Sequence, residues 1–168
     1  MFGLFKKEES DGSGEMRTVV RIYTSKGMME ADLLTDDMPV TTAHFIRLVQ
    51  SEFYNGLQFF RHIPEVLIQA GCPYNNGMGT APGIGHISQE SCNIPLDDGV
   101  LAMPHTAPHL IGSQFFICLS RRNAAYLEGS CPAFAKITAG GTVMSRLRAG
   151  DTIQRMEIMR FAVEEGQG

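Results

Sequence analysis

The apolar runs of this chain are short, and glycine and proline separate them along most of the sequence, which restricts the fold more than any other feature. Residues 20–24 alternate with the two-residue period of a half-buried strand. Residues 25–27 then predict a hairpin turn, and residues 28–34 its partner strand. Such pieces favour antiparallel strands joined by tight connections.

Further strand-like runs continue to the end of the chain. Two lie around a turn at Pro64, and four more follow at residues 100–103, 114–119, 133–137 and 152–161. Together with the first hairpin they make about eight strands, with no internal repeat. This pattern predicts a mainly β fold, an antiparallel barrel that is closed or nearly closed.

Two helices are predicted between these strands. The first begins at Pro39, because proline suits the first helical position, and Thr41 or Thr42 is the expected cap. Its apolar side chains recur at helical spacing as far as residue 53. The second helix is expected at residues 142–148, between two glycines.

The chain has 168 residues, which corresponds to roughly one domain at about 150 residues per domain. We expect a flexible N-terminal tail at residues 1–15, because lysine, glutamate, serine and glycine dominate it. The folded domain is then expected at residues 16–163, and a short C-terminal tail at residues 164–168.

Charge and cysteine content narrow the classes of function. The chain has 14 lysines and arginines against 18 aspartates and glutamates, so a sequence-independent nucleic-acid binder is not expected. No apolar run is long enough to span a membrane, and the first residues lack the order of a signal peptide. The four cysteines form no C-x-x-C pair, so neither a thioredoxin-type motif nor a zinc ribbon is present. They are also too few for a disulfide-rich protein, and reduced thiols in a cytosolic protein are expected. We therefore expect a cytoplasmic monomer without a membrane partner.

Several signatures of other enzyme classes are absent. Residues 77–83 have the wrong glycine spacing for a dinucleotide fingerprint, and no Gly-Lys-Ser/Thr triplet exists for a P-loop. Gly112-Ser113-Gln114 lacks the second glycine of a nucleophile elbow. Neither a nucleotide-binding enzyme nor a serine hydrolase is predicted.

A metal site has weak support. Adjacent prolines disfavour the helix that would place His105 and His109 on one face. His86, Glu90 and Cys92 could ligate a metal in principle, but such spacings are common in solvated loops. We therefore assign no metal ligand and expect no cofactor.

Four blocks of the sequence carry a resemblance to a known family. They lie at residues 59–71, 99–103, 112–117 and 126–137, and they include a Phe-x-Arg…Gln-x-Gly pattern and Gly-Ser-Gln-Phe-Phe. In this order they resemble the cyclophilin family of peptidyl-prolyl cis–trans isomerases. The resemblance extends from about residue 19 to residue 161 and implies an eight-stranded antiparallel β-barrel capped by two α-helices.

The resemblance also implies the residues of an active site. Arg61 matches the catalytic arginine of the family, which donates a hydrogen bond to the prolyl nitrogen as the amide twists. Gln69 and Gln114 match the polar residues that hold the substrate. The residues that match the proline pocket are Val66, Leu67, Phe116 and Leu127. The implied substrates are proline-containing peptides and unfolded or partly folded proteins.

The chain departs from the family pattern at the rim of this site. Phe60 stands where a histidine is frequent, and His105 where an asparagine contacts substrate through its backbone. Tyr126 stands in place of a tryptophan, and Cys131 in place of a histidine at the pocket rim. Because these changes alter contacts with the substrate, reduced isomerase activity is expected.

Two alternatives remain at this stage. Without the resemblance, Phe116 and Leu127 are ordinary core residues, and Arg61 is an ordinary surface charge. With it, the same fold could also serve as a module that binds proline peptides and has weak or no isomerase activity. The rate of cis–trans exchange in a bound peptide separates the module from the enzyme.

Overall fold

The computed structural model describes residues 15–163. The predicted tails at residues 1–15 and 164–168 lie outside this part, except for Glu15. The strands are β1 (Met16–Thr24), β2 (Gly27–Leu33), β3 (Arg61–Ile63), β4 (Leu67–Ala70), β5 (Ile87–Ser88), β6 (Val100–Ala102), β7 (His105–Ala107), β8 (Leu110–Ile111), β9 (Phe115–Cys118), β10 (Ala133–Ala139) and β11 (Ile153–Ala162). The helices are α1 (Pro39–Gln50), α2 (Arg121–Ala124) and α3 (Gly141–Arg146), with one 3₁₀ turn at Ala125–Leu127.

Eight strands form one antiparallel sheet in the order β11-β1-β2-β10-β6-β9-β4-β3. The predicted eight-stranded antiparallel architecture is therefore confirmed. A second sheet, in the order β5-β8-β7, was not predicted. Its strands have two or three residues each, too few to show a side-chain period in the sequence.

Closure of the large sheet into a barrel stays a prediction. The outer strands β3 and β11 are not paired along their lengths. The segments that precede them are joined by a bridge between Gln58 and Thr152. Hydrogen bonds beside this bridge run from the Phe59 amide to Asp151 O (2.8 Å) and from the Gly150 amide to Phe59 O (2.9 Å).

Helix α1 begins at Pro39, as predicted, but neither threonine caps it. Thr41 and Thr42 lie within the first turn, and the Thr42 hydroxyl donates to Met38 O at 2.8 Å. The Glu90 carboxylate instead accepts from the amides of Val40 (3.2 Å) and Thr41 (2.8 Å). A carboxylate at this end satisfies free amide groups and complements the helix dipole. The sequence could not show this cap because Glu90 lies in a loop far from α1 along the chain.

Residues 15–163 contain three α-helices, one more than the sequence predicted. Helix α3 occupies most of the predicted segment 142–148, while α2 is a single turn without a sequence signal. Among the helices of residues 15–163, none has the length and hydropathy to cross a membrane.

The large sheet separates two apolar clusters because side chains alternate between its faces. On one face, Ile68, Leu101 and Ile117 join the main core, in which Phe45 and Leu48 of α1 also lie. The other face carries a smaller cluster, here called the outer cluster, made of Leu67, Leu96, Val100, Ala102, Phe116, Cys118, Ala124, Cys131 and Ala133. The second face therefore has an apolar cluster at β4, β6, β9 and the start of β10.

A buried serine connects three other segments of the chain, and its partners Tyr54 and Ala81 belong to the main core. The Ser113 hydroxyl donates to Gly71 O at 2.8 Å and accepts from the Ala81 amide at 2.9 Å. The Ser113 amide donates to the Thr80 hydroxyl (2.9 Å), and the Tyr54 hydroxyl donates to Ser113 O (2.7 Å). A Cβ atom on Gly71 would lie 2.5 Å from Ser113 O, so this approach requires glycine. We call this set of contacts the Ser113 junction.

Replacing Ser113 with alanine tests the junction. The change leaves the buried Gly71 carbonyl and Ala81 amide without their partner, and we expect a loss of about 2–4 kcal/mol in the free energy of unfolding. Urea denaturation measures this loss. The control is Ser145→Ala, which removes an exposed hydroxyl bonded to Thr142 O and should change stability by less than about 0.5 kcal/mol. Equal stability of the two variants would contradict the assignment.

Candidate functional site

Arg61, Gln69 and Phe116 lie in one row across three neighbouring strands. Arg61 of β3 is opposite Gln69 of β4, and Gln69 is opposite Phe116 of β9. The row continues through Ala102 of β6, which is opposite Phe116. Residues opposite each other in antiparallel strands project from the same face. The sheet therefore places a guanidinium, an amide and an aromatic ring side by side on its outer face.

A chain of hydrogen bonds connects the polar members of this site. The Arg61 guanidinium Nη1 donates to Gln69 Oε1 at 3.3 Å. Gln69 Nε2 donates to Gln114 Oε1 at 2.8 Å. Gln114 Nε2 then donates to two backbone carbonyls, Gly77 O at 3.0 Å and Gly79 O at 2.9 Å. Both glutamines are buried, with side chains that reach neighbouring polar groups in both directions.

The groups at the two ends of this series of hydrogen bonds determine how the side-chain amides of Gln69 and Gln114 are oriented. Backbone carbonyls only accept, so Gln114 must turn its NH₂ group towards Gly77 and Gly79. A guanidinium only donates, so Gln69 must turn its oxygen towards Arg61. With these ends set, the central bond can run only from Gln69 to Gln114. The arrangement thus positions Nη1 of the guanidinium against Gln69, and the exposed Arg61 side chain lines the cavity described next.

A cavity of about 390 Å³ adjoins the exposed Arg61 side chain. It lies between the loop before β5 and the beginning of β7. Its lining residues are Arg61, Gln69, Gly77, Met78, Gly79, Thr80, His86, Pro104, His105, Thr106 and Gln114. Arginine, two glutamines and two histidines make this cavity polar, with hydrogen-bonding groups suited to a peptide backbone.

The four residues predicted for the proline pocket lie in or against the outer cluster, together with Cys131, which was predicted at the pocket rim. Leu67, Phe116 and Cys131 are buried members, while the half-buried Val66 and Leu127 pack against them. None of the five lines the polar cavity. Phe116 is 1% exposed, so its ring is covered in this conformation. The site therefore has an open polar part and a closed apolar part on either side of Gln69.

The remaining predicted rim residues occupy different surroundings. His105 is exposed at the start of β7 and lines the polar cavity. The Phe60 ring lies against Gly77, where a Cβ atom would be 3.3 Å from it, and Phe60 does not line the cavity. Tyr126 is 70% exposed on the 3₁₀ turn. Of these three, His105 is the one that the fold brings to Arg61.

Residues 77–80 contribute to the site but were not predicted to do so from the sequence. They form a wall of the cavity, whereas their glycine spacing in the sequence served only to exclude a nucleotide-binding motif. They belong to a long segment, residues 74–95, that shows no side-chain period in the sequence, and that length was the one signal of a functional loop. Their place beside Arg61 depends on Gln114, which is 35 residues from Gly79 along the chain.

The open possibility of a metal site receives no support in residues 15–163. This part of the chain contains no group of three or more histidine, cysteine, aspartate or glutamate side chains that could hold a metal. The Glu90 carboxylate is bound to the start of α1, and the Cys92 sulfur accepts from the Ala133 amide at 3.3 Å.

These features define the class of protein. The family model described as cyclophilin type peptidyl-prolyl cis-trans isomerase/CLD matches residues 19–163. The chain therefore belongs to the cyclophilin-type peptidyl-prolyl cis–trans isomerase family, a class of isomerases, as the sequence resemblance predicted.

Similar proteins agree with this family. A peptidyl-prolyl cis-trans isomerase of Helicobacter pylori is 36% identical over 138 residues, which cover 79% of this chain and 82% of that protein. One from Synechococcus elongatus is 36% identical over 143 residues, covering 84% and 96%. The crystal structure of a cyclophilin type isomerase from Cryptosporidium parvum covers 85% of this chain and 98% of its own, with a TM-score of 0.77 and 25% identity.

Two thiols of the outer cluster, Cys118 and Cys131, are buried, and we expect them to react slowly. Burial raises the pKa of Cys131, and it raises the pKa of Cys118 to about 11. Because the thiolate is the reactive form, iodoacetamide at pH 8 should leave both unlabelled in the native protein and label both in urea. Peptide mass spectrometry measures the labelling. Labelling of native Cys131 as fast as in urea would show that the outer cluster opens readily.

Proposed function

We propose that this chain accelerates cis–trans isomerisation of the peptide bond before proline, in peptides and in folding proteins. The observation that carries the proposal is the row formed by Arg61, Gln69 and Phe116. It puts a fixed hydrogen-bond donor beside an apolar cluster on one face of the sheet. A prolyl nitrogen and its ring present the matching pair, a potential acceptor next to an apolar ring.

The reaction has a barrier because resonance gives the amide bond partial double-bond character. The barrier is about 18–20 kcal/mol, and the bond before proline isomerises in tens to hundreds of seconds without a catalyst. As the bond twists, conjugation is lost and the nitrogen lone pair becomes a hydrogen-bond acceptor. A donor at this nitrogen therefore binds the twisted state more strongly than the planar state, which is the requirement for catalysis.

Arg61 is the proposed donor. An arginine guanidinium carries five N–H donors and no acceptor, so it can only donate. Gln69 accepts from Nη1, at 3.3 Å, and orients the planar group without removing its charge. The Gln114 bond holds Gln69 in turn. The donor is thus positioned before the substrate arrives, so little reorganisation is needed as the bond twists.

The outer cluster is the proposed binding site for the proline ring. Val66 and Leu127 are half-buried and pack against this cluster, in which Phe116 is buried. We propose that movement of half-buried side chains such as these gives the proline ring access to Phe116. The polar cavity, with Gln114 and His105 in its lining, is proposed to hold the neighbouring peptide backbone.

Proline-containing peptides and unfolded or partly folded proteins are the proposed partners. The chain is proposed to act on them as a cytoplasmic monomer. A solved structure of the Cryptosporidium parvum cyclophilin, determined in the presence of the dipeptide Ala-Pro, supports the choice of ligand class. It matches this chain with a TM-score of 0.75 and 25% identity, over 84% of this chain. Location and oligomeric state remain predictions from the sequence.

Replacing Arg61 with alanine tests the proposed catalyst. Exchange NMR of an Ala-Pro model peptide gives the rate of isomerisation, and chemical-shift titration gives the affinity. The wild-type protein should accelerate exchange, and Arg61→Ala should lower kcat by about 10²–10³-fold, the effect of removing one transition-state hydrogen-bond donor. KM should change little, because the lost contact belongs to the transition state.

The control is Arg160→Ala, which removes an exposed arginine on β11, outside the cavity. Its rate should equal that of the wild type. If the wild type binds the peptide but leaves exchange slow, the chain is a proline-peptide binding module. If Arg61→Ala retains the full rate, another group is the catalyst.

The pH profile provides a second test of the mechanism. The proposed scheme transfers no proton, and arginine does not titrate near neutrality. The rate of wild-type exchange should therefore be nearly constant between about pH 6 and pH 8. A bell-shaped profile with a histidine-like midpoint would assign proton transfer to a lining histidine and contradict the role given to Arg61.

A further inference from the structure

We infer that Met78 is a specificity-determining residue, whose side chain contacts an apolar side chain of the substrate within three residues of the proline. The inference rests on the proposed function, since it concerns the peptide that the Arg61 site takes. Met78 lines the polar cavity together with Arg61 and Gln69. It is the large apolar side chain of that lining.

The first observation is the exposure of Met78. Its side chain is 83% exposed, the largest value among the exposed large hydrophobic residues in the described part of the chain. A single exposed apolar residue is common on protein surfaces and needs no function. The exposure of Met78 indicates a function because hydrogen bonds and aromatic rings hold the backbone around this residue.

Hydrogen bonds hold the backbone of residues 77–79, here called the turn. Gln114 Nε2 donates to the carbonyls on both sides of Met78, to Gly77 O at 3.0 Å and to Gly79 O at 2.9 Å. The Met78 amide itself donates to Asn76 Oδ1 at 2.9 Å. Three backbone groups around Met78, its own amide and the carbonyls of Gly77 and Gly79, therefore have partners within the protein.

Aromatic packing holds the same turn from two directions. A Cβ atom at Gly79 would lie 2.7 Å from the Tyr74 ring, and one at Gly77 would lie 3.3 Å from the Phe60 ring. Gly77 also has a φ of +83°, a conformation that favours glycine. The two glycines thus allow both rings to press against the turn. Only the Met78 side chain projects freely from it.

The turn is also coupled to the proposed catalyst. Gln114, which holds the turn, accepts from Gln69, and Gln69 accepts from Arg61. The same hydrogen-bond chain therefore positions Arg61 and Met78 relative to each other. An extended peptide advances about 3.3 Å per residue, so residues within three of the proline lie within about 10 Å of it.

The chemistry of methionine indicates the class of side chain it selects. The thioether is apolar and polarizable, and its flexible chain adapts to aliphatic and aromatic groups of different shape. An apolar side chain at this position would remove both surfaces from water. A glycine would leave Met78 exposed, and a charged side chain would lose water without a partner from Met78. Peptides with a leucine or a similar residue should therefore be favoured.

A peptide series tests the inference. Each peptide contains one proline in a glycine background, with a single leucine at one of the three positions before or after it. Exchange NMR gives kcat/KM for the wild type, and for Met78→Ala and Met16→Ala. In the wild type, leucine at one position should raise kcat/KM about tenfold over glycine, the lower end for an apolar contact in an enzyme pocket. Met78→Ala should bring this ratio close to one.

Met16→Ala is the matched control, because Met16 is also an exposed methionine, 54% exposed on β1 and outside the cavity. It should keep the wild-type ratio. Far-UV circular dichroism and urea denaturation check that Met78→Ala is folded. A lysine or glutamate at the sensitive position should give no increase over glycine.

The inference is overturned if the leucine-to-glycine ratio of Met78→Ala equals that of the wild type at all six positions. That result leaves the proposed function intact when the wild type accelerates exchange. If the wild type accelerates none of the peptides, the proposed function fails, and the same ratios are then measured as dissociation constants by chemical-shift titration. A wild-type preference for leucine that disappears in Met78→Ala still supports the contact.

Discussion

The Ser113 junction is the contact on which the geometry of the site depends. One hydroxyl joins the end of β4 at Gly71 to the loop at Ala81, and the next residue along the chain is Gln114. Because these groups are buried, each would cost free energy without its partner. The junction therefore sets the start of β9 against both β4 and the cavity loop. Gln114 can then reach Gln69 on one side and Gly77 on the other.

The register of the three short strands β3, β4 and β9 places the residues of the site next to one another. With Gln69 opposite both Arg61 and Phe116, a donor and an apolar ring lie on the same face. A shift of the register by one residue would turn Arg61 and Phe116 to opposite faces, because side chains alternate along a strand. The main core on the other face, which includes Ile68 and Ile117, makes such a shift costly. The packing of the core thus protects the arrangement of the site.

Several local features could be predicted because they depend on neighbouring residues alone. The first hairpin, the start of α1 at Pro39 and the segments of the large sheet follow from side-chain period and from the restricted backbone of proline. The strands of the small sheet, the single turn of α2 and the Glu90 cap could not be predicted. The first two are shorter than one detectable period, and the cap joins residues far apart in the chain.

The sequence by itself determined which segments become the strands of the large sheet and, through four blocks of residues, the family and the identity of Arg61, Gln69 and Phe116. These properties are carried by residue type and order along the chain. Only the tertiary structure decided that Phe116 is covered and that Phe60 supports a turn. It also decided that Met78 stands in the cavity beside Arg61. Exposure and contact of this kind depend on how strands pair and loops pack, and residues distant in sequence set both.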